Sequence, residues 1–74
     1  MIPPLNTTGL IRTGHMAGYY VRVTDDRQVS GGYFILFSVQ SDFEGSYYDE
    51  WVLAEEFAEY VSDCQWDVAW EGEP

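Results

Sequence analysis

From residue 42 onward the chain has no lysine and no arginine, yet this stretch holds all but two of its 13 acidic residues. The acids are Asp42, Glu44, Asp49, Glu50, Glu55, Glu56, Glu59, Asp63, Asp67, Glu71 and Glu73; Asp25 and Asp26 share the earlier part with Arg12, Arg22 and Arg27. Internal ion pairs therefore cannot organise the second half of the chain. What can is the set of rings threaded between the acids: Phe43, Tyr47, Tyr48, Trp51, Phe57, Tyr60, Trp66 and Trp70. Each ring buries a large area, and at 18% of residues the aromatics supply the dense core that a 74-residue domain needs. The same composition argues against disorder despite the charge. A net charge of −10 on this length costs self-repulsion that grows as salt falls, so stability is expected to rise with salt.

The length allows one domain, residues 1–74, with 1–8 as an extended arm and 71–74 as a tail. Tyr19, Val21 and Val23 alternate with Tyr20, Arg22 and Thr24, the pattern of a half-buried strand. Leu10 and Ile11 offer a further short strand. Residues 33–39 are β-branched and aromatic with little polarity, which predicts a strand covered on both faces and paired to the previous one in a hairpin. Ser46-Tyr47-Tyr48-Asp49 has the spacing of a helix capping box, but the helical wheel opposes a start there. At 100° per residue, Leu53, Phe57, Tyr60, Val61 and Cys64 share one face while Glu55, Glu56, Glu59 and Asp63 share the other. Extending that helix backward puts Asp49 and Glu50 on the apolar side. The spacing therefore predicts a strand over 47–52, a helix over about 53–63, and a last strand over 66–70. The expected class is α+β, a small antiparallel-rich sheet of three to four strands with one helix packed on a face.

Charge excludes several functions. An acidic surface repels nucleic acid and anionic lipid, so direct contact with either is not expected. No stretch approaches the length of a membrane span, and Met1-Ile2-Pro3-Pro4 lacks the basic and apolar regions of a secretory signal, so a cytoplasmic protein is expected. A single cysteine, Cys64, excludes an internal disulfide and a multi-cysteine metal site. A calcium loop starting at Asp42 needs Gly and Glu where Tyr47 and Leu53 stand, so no metal site is expected. His15 and Cys64 are each the only residue of their kind, and no local motif joins them. Neither a catalytic set nor a cofactor is expected, and the chain reads as a non-enzyme.

The remaining candidates form a binding surface. Tyr47, Tyr48 and Trp51 lie among Glu44, Asp49 and Glu50, and adjacent strand residues face opposite ways, so some of these rings should be exposed. Exposed rings beside carboxylates suit Arg and Lys through cation–π contact and charge-assisted hydrogen bonds. With Glu55, Glu56, Glu59 and Asp63 they make a candidate surface for a basic protein. The plain alternative for the helix acids is a solvated face that keeps a small protein dispersed, although ordinary surfaces mix both signs.

At Gly18-Tyr19-Tyr20-Val21, Gly31-Gly32-Tyr33, Tyr48-Asp49-Glu50-Trp51-Val52 and Trp66-Asp67-Val68-Ala69-Trp70 the chain resembles small acidic bacterial immunity proteins of toxin–immunity systems. The likeness is one of size, charge and texture across most of residues 18–70. It implies an inhibitor that binds a cognate toxin, often a nuclease, and covers or distorts its active site; no residue role carries over. Two other functions fit the same residues. One is a nucleic-acid mimic that blocks a DNA-binding protein, of the phage type; the other is a small structural subunit whose exposed rings form an oligomer interface.

Overall fold

A computed structural model describes residues 3–45 and 47–71. Five strands form one antiparallel sheet: β1 (Thr8–Ile11), β2 (Tyr20–Asp26), β3 (Gly32–Ser38), β4 (Tyr47–Leu53) and β5 (Val68–Trp70), in the order β4-β3-β2-β1-β5. A 3₁₀ turn, Ala54–Glu56, leads directly from β4 into α1 (Phe57–Cys64). The class is α+β as expected, but with five strands rather than three to four. The fifth strand is the short one offered at Leu10 and Ile11, which reaches back into the expected arm as far as Thr8. The backbone there is tied in, with Asn6 N–H donating to the Val23 carbonyl and Glu71 N–H to the Thr8 carbonyl. The expected helix also begins later, since Leu53 still pairs with Gly32 as the last residue of β4. Ser46 of the capping-box pattern, and most of the expected tail, lie outside the described residues.

Directly opposed residues share a face, so the register sorts the sheet into two surfaces. One carries Val21 beside Phe37 and Tyr48, and Val23 beside Ile35 and Glu50. On this face α1 packs: the Phe57 ring, 1% exposed, stacks on Tyr33 at 4.3 Å and 28°. Ile11, Val21, Val23, Ile35 and Phe37 complete the buried core. The helix wheel holds, with Phe57 buried, Tyr60, Val61 and Cys64 half-buried, and Glu55, Glu56, Glu59 and Asp63 exposed. Gln65, in the left-handed conformation at φ 53°, ends the helix and turns Trp66 back towards the core.

The second face carries Leu10, Tyr20, Arg22, Phe34, Leu36, Tyr47, Asp49 and Trp51 and has no helix. Here the expectation for residues 33–39 is only half met: Phe34 and Leu36 are intermediate in exposure rather than buried. Part of the cover comes from the β3–β4 loop. Phe43 adopts φ 58°, uncommon for a bulky residue, and its ring tucks in to 8% exposure with the Arg22 guanidinium 4.7 Å above it. Arg22 also donates to Thr8 Oγ1 at 2.6 Å. Two close approaches need glycine. A Cβ on Gly9 would stand 2.6 Å from the Trp70 ring, and one on Gly32 would stand 2.7 Å from the Trp51 ring. Each indole thus lies across a neighbouring strand where no side chain intervenes.

Candidate functional site

β4 is an edge strand, bonded to β3 alone. Its first five residues, Tyr47, Tyr48, Asp49, Glu50 and Trp51, are all exposed. Alternation divides them as the pleat requires. Tyr47, Asp49 and Trp51 point to the open face, opposite Ser38, Leu36 and Phe34. Tyr48 and Glu50 point to the helix face, opposite Phe37 and Ile35.

The three rings differ in how firmly they are held. Tyr47 is 55% exposed and is the freest. Tyr48 stacks on Phe37 at 5.1 Å, meets Tyr19 edge-on at 6.4 Å, and directs its hydroxyl to the Met16 sulfur at 3.5 Å. Burial, with Tyr19 and Glu50 nearby, pushes its hydroxyl above the usual phenol pKa. Trp51 packs on Gly32 and donates its indole N–H to Ser30 Oγ at 2.7 Å, yet keeps 43% of its surface exposed. It therefore serves the fold and the surface together.

The carboxylates surround this strand. Glu44 is exposed in the loop before it, where its N–H closes an Asx turn onto Asp42 Oδ1 at 3.0 Å. Glu55 and Glu56 follow it in the 3₁₀ turn, with Glu59 and Asp63 further along the outer face of α1. Among the described residues the ion pairs are Arg12–Asp67 at 2.6 Å and Arg27–Asp25 at 2.7 Å. Arg27, with a side-chain and a main-chain hydrogen bond, holds the Asp25 carboxyl at about 2. None of the candidate acids takes part in either pair. The surface thus faces solvent as uncompensated negative charge around exposed rings.

Sequence reasoning did not find the groove between α1 and the β4 edge. There Phe37, Tyr48, Glu50, Tyr60 and Trp66 meet, with His15, Met16 and Cys64 at its walls. The Tyr60 hydroxyl donates to Glu50 Oε2 at 2.8 Å. Burial first, and then this bond, raise the Tyr60 pKa strongly. The residues come from the β1–β2 connection, two strands, the helix and the segment after it, so no local spacing marks the groove. His15 and Cys64 do share it, but burial raises the Cys64 thiol pKa, the opposite of an activated thiolate. Among the described residues, no cluster of three His, Cys, Asp or Glu side chains is placed to hold a metal ion. Likewise, among the described residues no helix is long and apolar enough to cross a membrane.

No family model, curated protein or solved structure matches the chain.

Proposed function

We propose that this protein is an acidic binding module that captures a basic protein along β4, acting as an inhibitor of the immunity type against a toxin or nuclease. The observation that carries the reading is an edge strand exposing Tyr47, Tyr48 and Trp51 around Asp49 and Glu50, with no ion-pairing cation among the described residues. A nuclease gathers Arg and Lys where it holds phosphates, so such a surface competes for the same residues. Opposite charge speeds the encounter, while the rings provide the contact area that holds the complex once water leaves. The outward edge of β4 also offers main-chain donors and acceptors for an added strand. Acids clustered about exposed rings suit one cognate partner better than the evenly spaced rows that would imitate a phosphate backbone.

Capture from the source cell's lysate, eluted by a salt gradient, tests this with wild type beside the double variant Tyr47→Ser/Asp49→Asn. Tyr47 is 55% exposed and Asp49 is exposed and outside both ion pairs, and circular dichroism of the variant checks that the fold is kept. One basic protein retained to high salt by wild type and released early by the variant is expected. A broad set of basic proteins leaving together at low salt from both would overturn the reading in favour of a polyanion that mimics nucleic acid.

A further inference from the structure

The groove beside β4 has a volume of about 290 Å³, at the lower limit of pockets that enclose a whole drug-sized ligand, so it suits a single head group. Its walls are rings set at large angles. Trp66 stands edge-on to Tyr60 at 6.1 Å and 81°, and edge-on to Phe37 at 5.7 Å and 73°. Tyr48, stacked on Phe37 at 25°, lines the β4 side. Glu50 supplies the charge, and Tyr60 fixes its carboxylate through Oε2. A carboxylate has acceptor sites on both oxygens, so capacity remains for an occupant. The arginines are engaged elsewhere: Arg12 with Asp67, Arg27 with Asp25, and Arg22 with Thr8 and Phe43 on the open face.

We propose that this groove is an aromatic cage for one weakly hydrated organic cation, an alkylated ammonium or a guanidinium, with Glu50 as its counter-ion. Ring faces attract a cation through their quadrupoles, most strongly when several surround it and water is displaced. A purely apolar occupant would take the Glu50 carboxylate out of water with the Tyr60 hydroxyl as its one lining donor among the described residues, leaving the charge uncompensated, and a small metal ion would find only one carboxylate. The cage rests on the preceding reading in one respect, because the cation is either a side chain of the basic partner or a free small molecule.

Heteronuclear NMR titration with choline chloride separates these outcomes. Sodium chloride at equal ionic strength serves as one control and 3,3-dimethyl-1-butanol, the neutral carbon isostere, as the other. Choline is expected to shift the Trp66 indole and Tyr60 ring resonances saturably, and the isostere to bind about tenfold or more weakly. Glu50→Gln, at an exposed position that retains an acceptor for Tyr60, should weaken choline by about tenfold. Bound choline should also slow alkylation of Cys64 by iodoacetamide. Equal binding of the isostere, the same shifts with sodium chloride, or an unchanged affinity in Glu50→Gln would overturn the cage. Choline binding without capture of any basic protein would assign the cage to a free cation and sink the partner reading alone. Specific capture without choline binding would sink the cage alone.

Discussion

Trp51 holds two roles, and a graded set of substitutions should pull them apart. The ring is 43% exposed, so of the roughly 250 Å² a tryptophan can bury, about 140 Å² is covered. At about 25 cal/mol/Å² that area is worth at most about 3.5 kcal/mol, or about 2–3 kcal/mol once a compact unfolded chain is allowed for. The bond to Ser30 adds about 1 kcal/mol. Trp51→Ala should therefore cost about 3–4 kcal/mol, a large share of the roughly 4–11 kcal/mol typical of a chain this long. Its melting temperature should fall by roughly 15–25 °C. Trp51→Phe keeps a ring over Gly32 and loses the bond, so a fall of about 5–10 °C is expected. Ser30→Ala removes the same bond from the other side, and the double variant Ser30→Ala/Trp51→Phe should be little worse than Trp51→Phe. Thermal melts followed by circular dichroism read all four. A Trp51→Ala variant within about 0.5 kcal/mol of wild type would show that the ring has no packing role, and fully additive single variants would deny the bond.

Three further outcomes are expected. Tyr60, Tyr48 and Cys64 all have folded-state pKa values raised by burial, so their neutral forms stabilise the fold at neutral pH, and that contribution is lost as pH climbs above about 9–10. The urea midpoint should fall across that range, and less steeply in Tyr60→Phe; an unchanged slope would contradict the assignment. Raising sodium chloride from about 0.05 to 0.5 M should lift the melting temperature by roughly 5 °C, because the exposed acids repel one another; a fall with salt would mean that attraction dominates. Sedimentation should give a monomer at low salt, since two β4 strands paired about their centre would set Glu50 against Glu50 or Asp49 against Asp49. Concentration-dependent dimers there would favour a structural subunit.

Local periodicity carried most of the fold into the sequence. The alternation of Val21 and Val23 with Arg22 and Thr24, and the wheel that sets Phe57 against Glu59, both describe one element at a time, and both hold. β4 was legible because a helix through Asp49 and Glu50 would have buried them. Pairing between distant segments was not legible. Nothing in Thr8–Ile11 marks it as the partner of Val68–Trp70, because β1 is short and Gly9 is required only by the approach of Val68 and Trp70. The candidate strand was placed correctly and its rings are exposed, but which face each serves follows from register. The groove was hidden for the same reason, as Met16, Glu50 and Trp66 are neighbours only once the sheet and helix are assembled. The Phe43–Arg22 contact lay equally out of reach, since it depends on a left-handed phenylalanine in a polar loop.

The strand order sets a sequence of assembly. β2, β3 and β4 are consecutive hairpins and can pair as soon as each is made, whereas β1 meets β5 only across most of the chain. Loop closure of that length delays the last ladder, which then rests on three residue pairs. During synthesis β1 is made first and gains its outer neighbour last. Amide exchange should therefore begin at β5 and reach the β2–β3 ladder only with global unfolding. The proposed binding edge sits at the locally built end of the sheet, so it can form before the far side has latched.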